Sequence, residues 1–324
     1  MSKQFEIFQV DNGDLAYRVA KELNTTTGNL NIQKFSDGEI TSQFSESIRD
    51  KAVFLFGSTD TQDNFFRLIL SIDAAKRSSA SEIIVVCPYL GYSRQDRRDG
   101  TRGPIGAKLM ADMLTVAGAT KMVCLDLHAD QIQGFFDLPV DHIPGYHFFR
   151  NISKTMAFEE FDKNDWCICS PDAGGVKRAD RFYKEFLKSE PNSTFAMLSK
   201  RRDKPNSIES MELIGSVKGK NVILVDDMVD TAGTLCKAAD VLIENGAKSV
   251  SACITHGVLT GPAIERINKS KLFKLFITDS IPGRYEAVQN SGRVDVISNP
   301  QLYGNIIEAL ISSESLETAL TSDL

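Results

Sequence analysis

The sequence predicts an α/β protein built on parallel sheets, and three observations carry that prediction. Short runs of valine, isoleucine and phenylalanine recur without polar alternation, as expected of strands buried on both faces. Between them lie segments whose apolar residues return every three or four positions, the mark of a helix with one buried stripe. Strand and helix alternate along most of the chain, the order that parallel sheets with crossover helices require.

In chain order the strands are predicted at Ala52 to Phe56, Glu82 to Cys87, Lys121 to Leu125, Asp165 to Cys169, Val222 to Val225 and Ser249 to Ile254. The helical stripes are Leu15, Val19, Leu23; Leu68, Ile72, Ala75; Leu109, Met113, Val116; and Leu235, Ala238, Ala239, Leu242. At 324 residues the chain is about two domains long by the prior of roughly 150 residues each. The stretch Val140 to Gly145 closes one strand and helix series before another opens near Phe148, which predicts domains over 1–146 and 147–324. The halves echo each other: Lys121 to Asp130 and Asn221 to Asp230 each run from a strand into acidic residues, with a glycine following at Gly134 and Gly233.

A hydrophobic content of 42% supplies sizeable cores, and a net charge of −6 argues against a nucleic-acid partner or an anionic membrane surface. Any basic site is local. No apolar run approaches the ~18 residues of a spanning helix, and Met1 to Gln4 leads directly into Phe5 to Phe8 without a leader pattern. A cytoplasmic enzyme is the expectation. The six cysteines sit inside apolar runs at spacings that fit neither a zinc site nor a disulfide framework, and read as reduced core thiols.

Six segments carry chemistry. In Val225 to Thr234 a hydrophobic strand ends at Asp226 and Asp227, and the small residues Asp230, Thr231, Ala232, Gly233 and Thr234 turn into a helix. A helix N-terminus presents unpaired N–H groups and the positive end of its dipole, so this turn reads as a phosphate cradle. The two acids suit vicinal sugar hydroxyls, directly or through a divalent metal; capping by Asp230 or Thr231 is the plainer explanation. Gly91 to Arg98, holding Arg94, Gln95, Asp96, Arg97 and Arg98, follows a strand where open sheets bind ligands; its arginines suit bidentate phosphate contacts, with a solvated loop face or a subunit contact as the plainer reading of Arg97 and Arg98. Asp126 to Asp130 offers His128 among carboxylates at another strand end, as a rim for Mg2+ beside a triphosphate or as a structural histidine, and Ser170 to Gly175 offers Asp172 to a metal in what is also a common glycine-bearing strand-to-helix turn. Phe35, Asp37, Gly38 and Glu39 combine an aromatic ring, a tight turn and two acids, able to stack and hydrogen-bond a base or to serve as a plain β-turn. Ser199 to Ser207, with Lys200, Arg201 and Arg202, lies between a strand pattern at Thr194 to Leu198 and Met211 to Gly215 and reads as a mobile, exposed basic hairpin or flap.

Taken in this order and at these spacings, the segments closely resemble the ribose-phosphate diphosphokinase, or phosphoribosyl pyrophosphate synthetase, family in its class I bacterial form; Gln131 to Asp137 adds to the likeness, which spans nearly the whole chain. The resemblance implies two tandem type I phosphoribosyltransferase-like domains, an ATP-side one (1–146) and a ribose 5-phosphate-side one (147–324) whose last helix packs back on the first. It implies transfer of the β,γ-diphosphoryl group of Mg-ATP to ribose 5-phosphate, giving AMP and the activated sugar for nucleotide, histidine and tryptophan biosynthesis. Asp230 to Thr234 would hold the 5-phosphate, Asp226 and Asp227 the ribose hydroxyls, and Lys200 with Arg202 the migrating group. His128 and Asp172 would serve one or two Mg2+ ions. Arg94, Gln95, Asp96 and Arg97 would contact ATP, while Phe35, Asp37, Gly38 and Glu39 would reach the adenine of a neighbouring subunit in a homohexamer of dimers. Arg49, Arg77 and Arg102 match basic positions of an allosteric site for ADP and for inorganic phosphate as activator.

Two other readings share parts of this pattern. A phosphoribosyltransferase would carry the Asp226 to Thr234 type of segment, yet has no use for the Phe35 to Glu39 turn or a second domain of the same design. A non-catalytic subunit associated with such a synthetase would be expected to lose flap cations or Asp227, all of which are present. The chain does depart from the family pattern after Arg98, where a further arginine is common and Gly100 stands instead. The expected outcome is weakened inhibition by ADP, checked by titrating ADP at saturating ATP; ordinary strong inhibition would remove Gly100 from the regulation.

Overall fold

The computed structural model describes residues 4–98, 100, 102–153, 165–201 and 210–321. It divides into two units, one of Met1–Pro144 with Ser280–Gly283 and Asn299–Leu324, the other of Gly145–Asp279 with Arg284–Ser298.

The first unit begins with β1 (Phe5–Gln9), α1 (Leu15–Glu22) and an antiparallel hairpin of β2 (Leu30–Lys34) and β3 (Ile40–Phe44). β4 (Ala52–Phe56), α2 (Gln62–Arg77), β5 (Glu82–Cys87), α3 (Gly106–Ala117), β6 (Lys121–Leu125) and β7 (Val140–Ile143) follow. The sheet order is β1-β4-β5-β6-β7, every neighbour parallel. All five residues of β4 are buried, which explains the absence of polar alternation in its sequence. The hairpin stands apart from this sheet and rests on α2, where Ser42 and Ser71 hydroxyls meet at 2.8 Å and Lys34 pairs with Asp63 at 2.6 Å.

The second unit carries β8 (Trp166–Ser170), α4 (Val176–Phe186), β9 (Thr194–Arg201), β10 (Ser210–Ile214), β11 (Asn221–Val229), α5 (Gly233–Glu244), β12 (Ser249–Gly257), α6 (Ala263–Lys269), β13 (Lys274–Thr278), α7 (Arg284–Val288) and β14 (Val294–Ile297). Its order is β10-β9-β8-β11-β12-β13-β14, parallel except where β10 pairs antiparallel with β9. The winding reverses between β8 and β11, and the carboxyl ends of strands at such a reversal are where open sheets bind ligands. The chain then returns to the first unit with α8 (Pro300–Ser312) and α9 (Leu316–Thr321).

The α/β class and its parallel sheets are as the sequence predicts; one helical stripe is not. In α3, Leu109 and Val116 are 56% and 78% exposed, and Ala107, Met110, Ala111 and Leu114 form the buried face. Both sets have helical spacing, so periodicity alone could not choose between them. The alanines decide it, because small side chains let a helix lie close against a sheet. All six cysteines are free, and only Cys236 is less than fully buried. Burial pushes the Cys124 thiol up to about 12 and raises Cys87, Cys169 and Cys253 as well, so these thiols stay protonated and inert.

One buried acid sits where β1 ends. The Asp11 carboxylate accepts the N–H groups of Ser58 at 2.7 Å and Gly13 at 2.8 Å, which joins the loop after β1 to the loop after β4. Burial nevertheless pushes Asp11 up from 3.8 to about 6, with Asp60 adding to the rise and the N–H donors opposing it. The folded chain therefore holds a proton there that the unfolded chain has released, so this group's stabilisation is complete below about pH 4 and is lost as pH rises through about 6. The loss amounts to at most about 3 kcal/mol. Urea unfolding midpoints measured from pH 4 to pH 7 are expected to fall over that window, and the Asp11→Asn variant is expected to flatten that part of the profile.

Candidate active site

At the reversal in the second sheet, β11 runs further than its apolar pattern suggests, through Asp226 and Asp227 to Val229. The strand takes up the acids because β12 continues beside them, with Asp226 opposite Ile254 and Met228 opposite His256. Neighbouring strand residues ordinarily face opposite sides. Here the Asp226 carboxylate folds back to accept the Asp227 N–H at 2.9 Å, and Arg178 Nη1 lies 3.5 Å from Asp226 and 3.3 Å from Asp227. Burial, then repulsion from Asp227, raises the Asp226 carboxyl well above the usual carboxylate range, with Arg178 opposing the rise. The Asp227 side chain is 4% exposed and that of Asp226 is 28%. Asp226 is therefore the more solvent-exposed acid of the pair.

Five residues beyond the first acid the chain turns. Ala232 caps α5 in the left-handed conformation, at φ 60° and ψ 3°, and contributes no side-chain cap. Neither Asp230 nor Thr231 is the cap residue, so capping does not account for the small hydroxylated residues of this turn. It is braced from α6 and from the loop between β12 and α6 instead. The Thr260 hydroxyl bonds to the Asp230 carboxylate, Thr260 N–H donates to the Asp230 carbonyl at 3.1 Å, and Arg266 Nη1 donates to the Thr231 carbonyl at 3.0 Å. Thr231, Gly233 and Thr234 are exposed, leaving the start of a twelve-residue helix open to solvent. An exposed helix start beside a guanidinium carries positive potential of the kind that suits an anion.

The turn after β8 lies against the same acids. Asp172 Oδ1 accepts the Gly175 N–H at 3.0 Å and Ser170 Oγ donates to the Asp172 carbonyl at 2.7 Å, a tight turn into α4. A Cβ at Gly175 would stand 3.0 Å from Ser170 Oγ and 3.7 Å from Asp226 Oδ1, which measures how closely this turn approaches β11. Lys200 belongs to β9, paired antiparallel opposite Met211 of β10, so of the hairpin and the flap read from the sequence the described backbone shows the paired strands of a hairpin. Arg202 and the rest of the flap up to 209 lie outside the described residues.

In the first unit the strand ends carry the other predicted segments. Gly91 follows β5, and a Cβ there would come within 2.2 Å of the Thr59 carbonyl, so this position requires glycine. Arg94, Gln95, Arg97 and Arg98 are exposed. Asp96 accepts from Gln131 Nε2 at 3.1 Å, tying this loop to the one after β6, where His128 is half-buried. Phe35, Asp37, Gly38 and Glu39 form the hairpin tip, with Gly38 at φ 95° and Asp37 Oδ1 accepting the Glu39 N–H at 3.0 Å. The geometry is that of a tight turn, yet the Phe35 ring remains 45% exposed. Arg49, Arg77 and Arg102 are exposed, and Arg77 pairs with Asp73 of its own helix at 2.7 Å. Among the described residues no group of three or more His, Cys, Asp or Glu could by itself hold a metal, and no helix is long and apolar enough to cross a membrane.

Family models match over residues 6–118, as the N-terminal domain of ribose phosphate pyrophosphokinase, and over 179–320, as a phosphoribosyl synthetase-associated domain. A ribose-phosphate pyrophosphokinase of Porphyromonas gingivalis is 44% identical over 317 residues, 97% of both chains. The chain belongs to the ribose-phosphate pyrophosphokinase family. That of Oceanobacillus iheyensis is 46% identical over 84% of this chain and 83% of its own. The crystal structure of phosphoribosylpyrophosphate synthetase from Mycobacterium smegmatis superposes with a TM-score of 0.83 at 34% identity, covering 96% of this chain and all of that one. Membership makes the chain a transferase of nucleotide biosynthesis.

Arg178, Thr260 and Arg266 escaped the sequence reading. Arg178 lies on the helix after a glycine turn and looks like any solvated cation, while Thr260 and Arg266 follow β12, whose place beside β11 the sequence does not state. Removing the guanidinium takes an opposing charge away from two adjacent acids. Arg178→Met is expected to destabilise the fold by about 3 kcal/mol at pH 8 and by less at pH 5, where Asp226 readily takes up a proton. Urea unfolding at the two pH values checks this.

Proposed function

We propose that this pyrophosphokinase transfers the β,γ-diphosphoryl group of Mg-ATP to the C1 hydroxyl of D-ribose 5-phosphate, giving AMP and 5-phospho-α-D-ribose 1-diphosphate. The product feeds nucleotide, histidine and tryptophan biosynthesis in the cytoplasm. One observation carries the sugar side: within a single strand-to-helix connection, an acid pair held by Arg178 leads into an exposed, externally braced helix start. A molecule with vicinal hydroxyls at one end and a phosphate at the other suits that order of groups. Asp226 and Asp227 take the ribose hydroxyls, and Asp230, Thr231, Ala232, Gly233 and Thr234 take the 5-phosphate.

Arg94, Gln95, Asp96 and Arg97 contact ATP, and Phe35, Asp37, Gly38 and Glu39 receive the adenine of a neighbouring subunit in a hexamer of dimers. Inorganic phosphate and ADP act at Arg49, Arg77 and Arg102; an anion at Arg77 must compete with Asp73. His128 and Asp172 serve one or two Mg2+ ions. A three-ligand protein cluster is not required for this metal, which keeps several waters and binds through one or two protein groups plus substrate phosphates. When bound, Mg2+ neutralises charge on the triphosphate. Lys200 and Arg202 neutralise the group in flight, and positioning with charge neutralisation is most of what phosphoryl-type transfer needs.

Purified protein given Mg2+, ATP and ribose 5-phosphate is expected to release AMP only when the sugar is present. In the same assay Lys200→Ala is expected to lose about 3 kcal/mol of transition-state stabilisation, roughly a hundredfold in turnover. Near-wild-type turnover would take Lys200 out of the mechanism.

A further inference from the structure

The loop between β6 and β7 is strained and then pinned. Asp126, 5% exposed, adopts φ 41°, a left-handed conformation that a non-glycine side chain holds only when its surroundings impose it. Two contacts from β7 impose it. The Asp126 N–H donates to the Ile143 carbonyl at 2.8 Å, and the Leu127 N–H donates to His142 Nε2 at 3.0 Å.

The second contact is unusual, because a ring nitrogen on an edge strand satisfies a main-chain donor in the next strand's loop. It also decides the form of the imidazole. With Nε2 accepting, the ring is neutral and its proton sits on Nδ1, which faces Asp130 Oδ1 at 3.6 Å, a charge–dipole contact longer than a hydrogen bond. One side chain thus grips the loop on both sides of His128. The His142 side chain is 8% exposed, Leu127 is buried, and β7 is itself fastened to β6 by Lys121 and Asp141 at 3.1 Å.

We propose that His142 is a positioning residue of the transfer reaction. Its neutral imidazole holds the Leu127 N–H and faces Asp130, and so fixes the Asp126 to Asp130 loop in the one conformation that presents His128 to the metal-bound phosphates of ATP. The assignment rests on the reading of His128 as a group serving Mg-ATP. A histidine that merely filled a buried donor's need would affect stability and both substrates alike. A positioning histidine affects the nucleotide side and spares the sugar side.

The test compares His142→Gln, whose amide oxygen reaches the place of Nε2 and can accept the Leu127 N–H, with His142→Leu, which cannot. In the unliganded protein, hydrogen exchange of the peptide spanning 124–131 is expected to be at least tenfold faster in the Leu variant and near wild type in the Gln variant. In steady-state assays the Leu variant is expected to lose at least tenfold in kcat/KM for ATP, with KM for ribose 5-phosphate within twofold of wild type, and Gln is expected to restore most of the loss. Equal behaviour of the two variants, or equal losses toward both substrates, would overturn the proposal. If the Leu variant does not fold, His142→Asn replaces it, since its shorter amide falls short of the Leu127 N–H. Wild-type protein that releases no AMP would sink the underlying reading; active wild type with an unaffected Leu variant would sink only the role of His142.

Discussion

Two adjacent carboxylates on a nearly buried strand repel each other, and much of the second unit follows from containing that repulsion. One guanidinium reaches both, and it comes from the helix that follows the neighbouring strand of the sheet reversal. That placement demands the tight glycine turn after β8, because a side chain at Gly175 would crowd Ser170. The outcome is a pair gathered on one guanidinium, with the Asp226 carboxyl pushed upward by its burial and by its neighbour. A salt bridge at this depth adds little net stability. Its value lies in orienting the acids.

The phosphate turn shows the same economy by other means. A helix that begins at an alanine in a left-handed conformation has no side chain of its own to complete the first turn. Bracing comes from outside, through Thr260 and Arg266, and these partners touch the carboxylate and carbonyls of the turn while its exposed start faces water. In the first unit the strained Asp126 is likewise held by a neighbouring strand. Each unit thus has a left-handed residue after a strand, Asp126 or Ala232, whose turn is held by contacts from a neighbouring segment.

Much of this was legible in the sequence. Uniformly apolar runs gave the parallel strands, and the acid pair, the small-residue turn and the spaced segments marked the family. What stayed hidden was adjacency. Arg178, Thr260, Arg266 and His142 matter through partners on neighbouring strands and loops, and strand order is a property of the folded sheet. The outward stripe of α3 was misjudged for a related reason: Leu109 and Met110 stand side by side, and the surface each meets decides its fate. The extent of β11 was underestimated because apolar pattern fades at the acids while ladder pairing to β12 continues.

The cysteines have a practical side. Five are buried and inert, while Cys236 is only partly buried, and its N–H donates to the Ala232 carbonyl within the first turn of α5. Burial still raises that thiol somewhat, so it reacts slowly, yet nothing else in the cysteine set competes with it. The one partly exposed thiol of the chain therefore sits one helical turn from the candidate phosphate cradle, where a label on it would stand beside a bound anion.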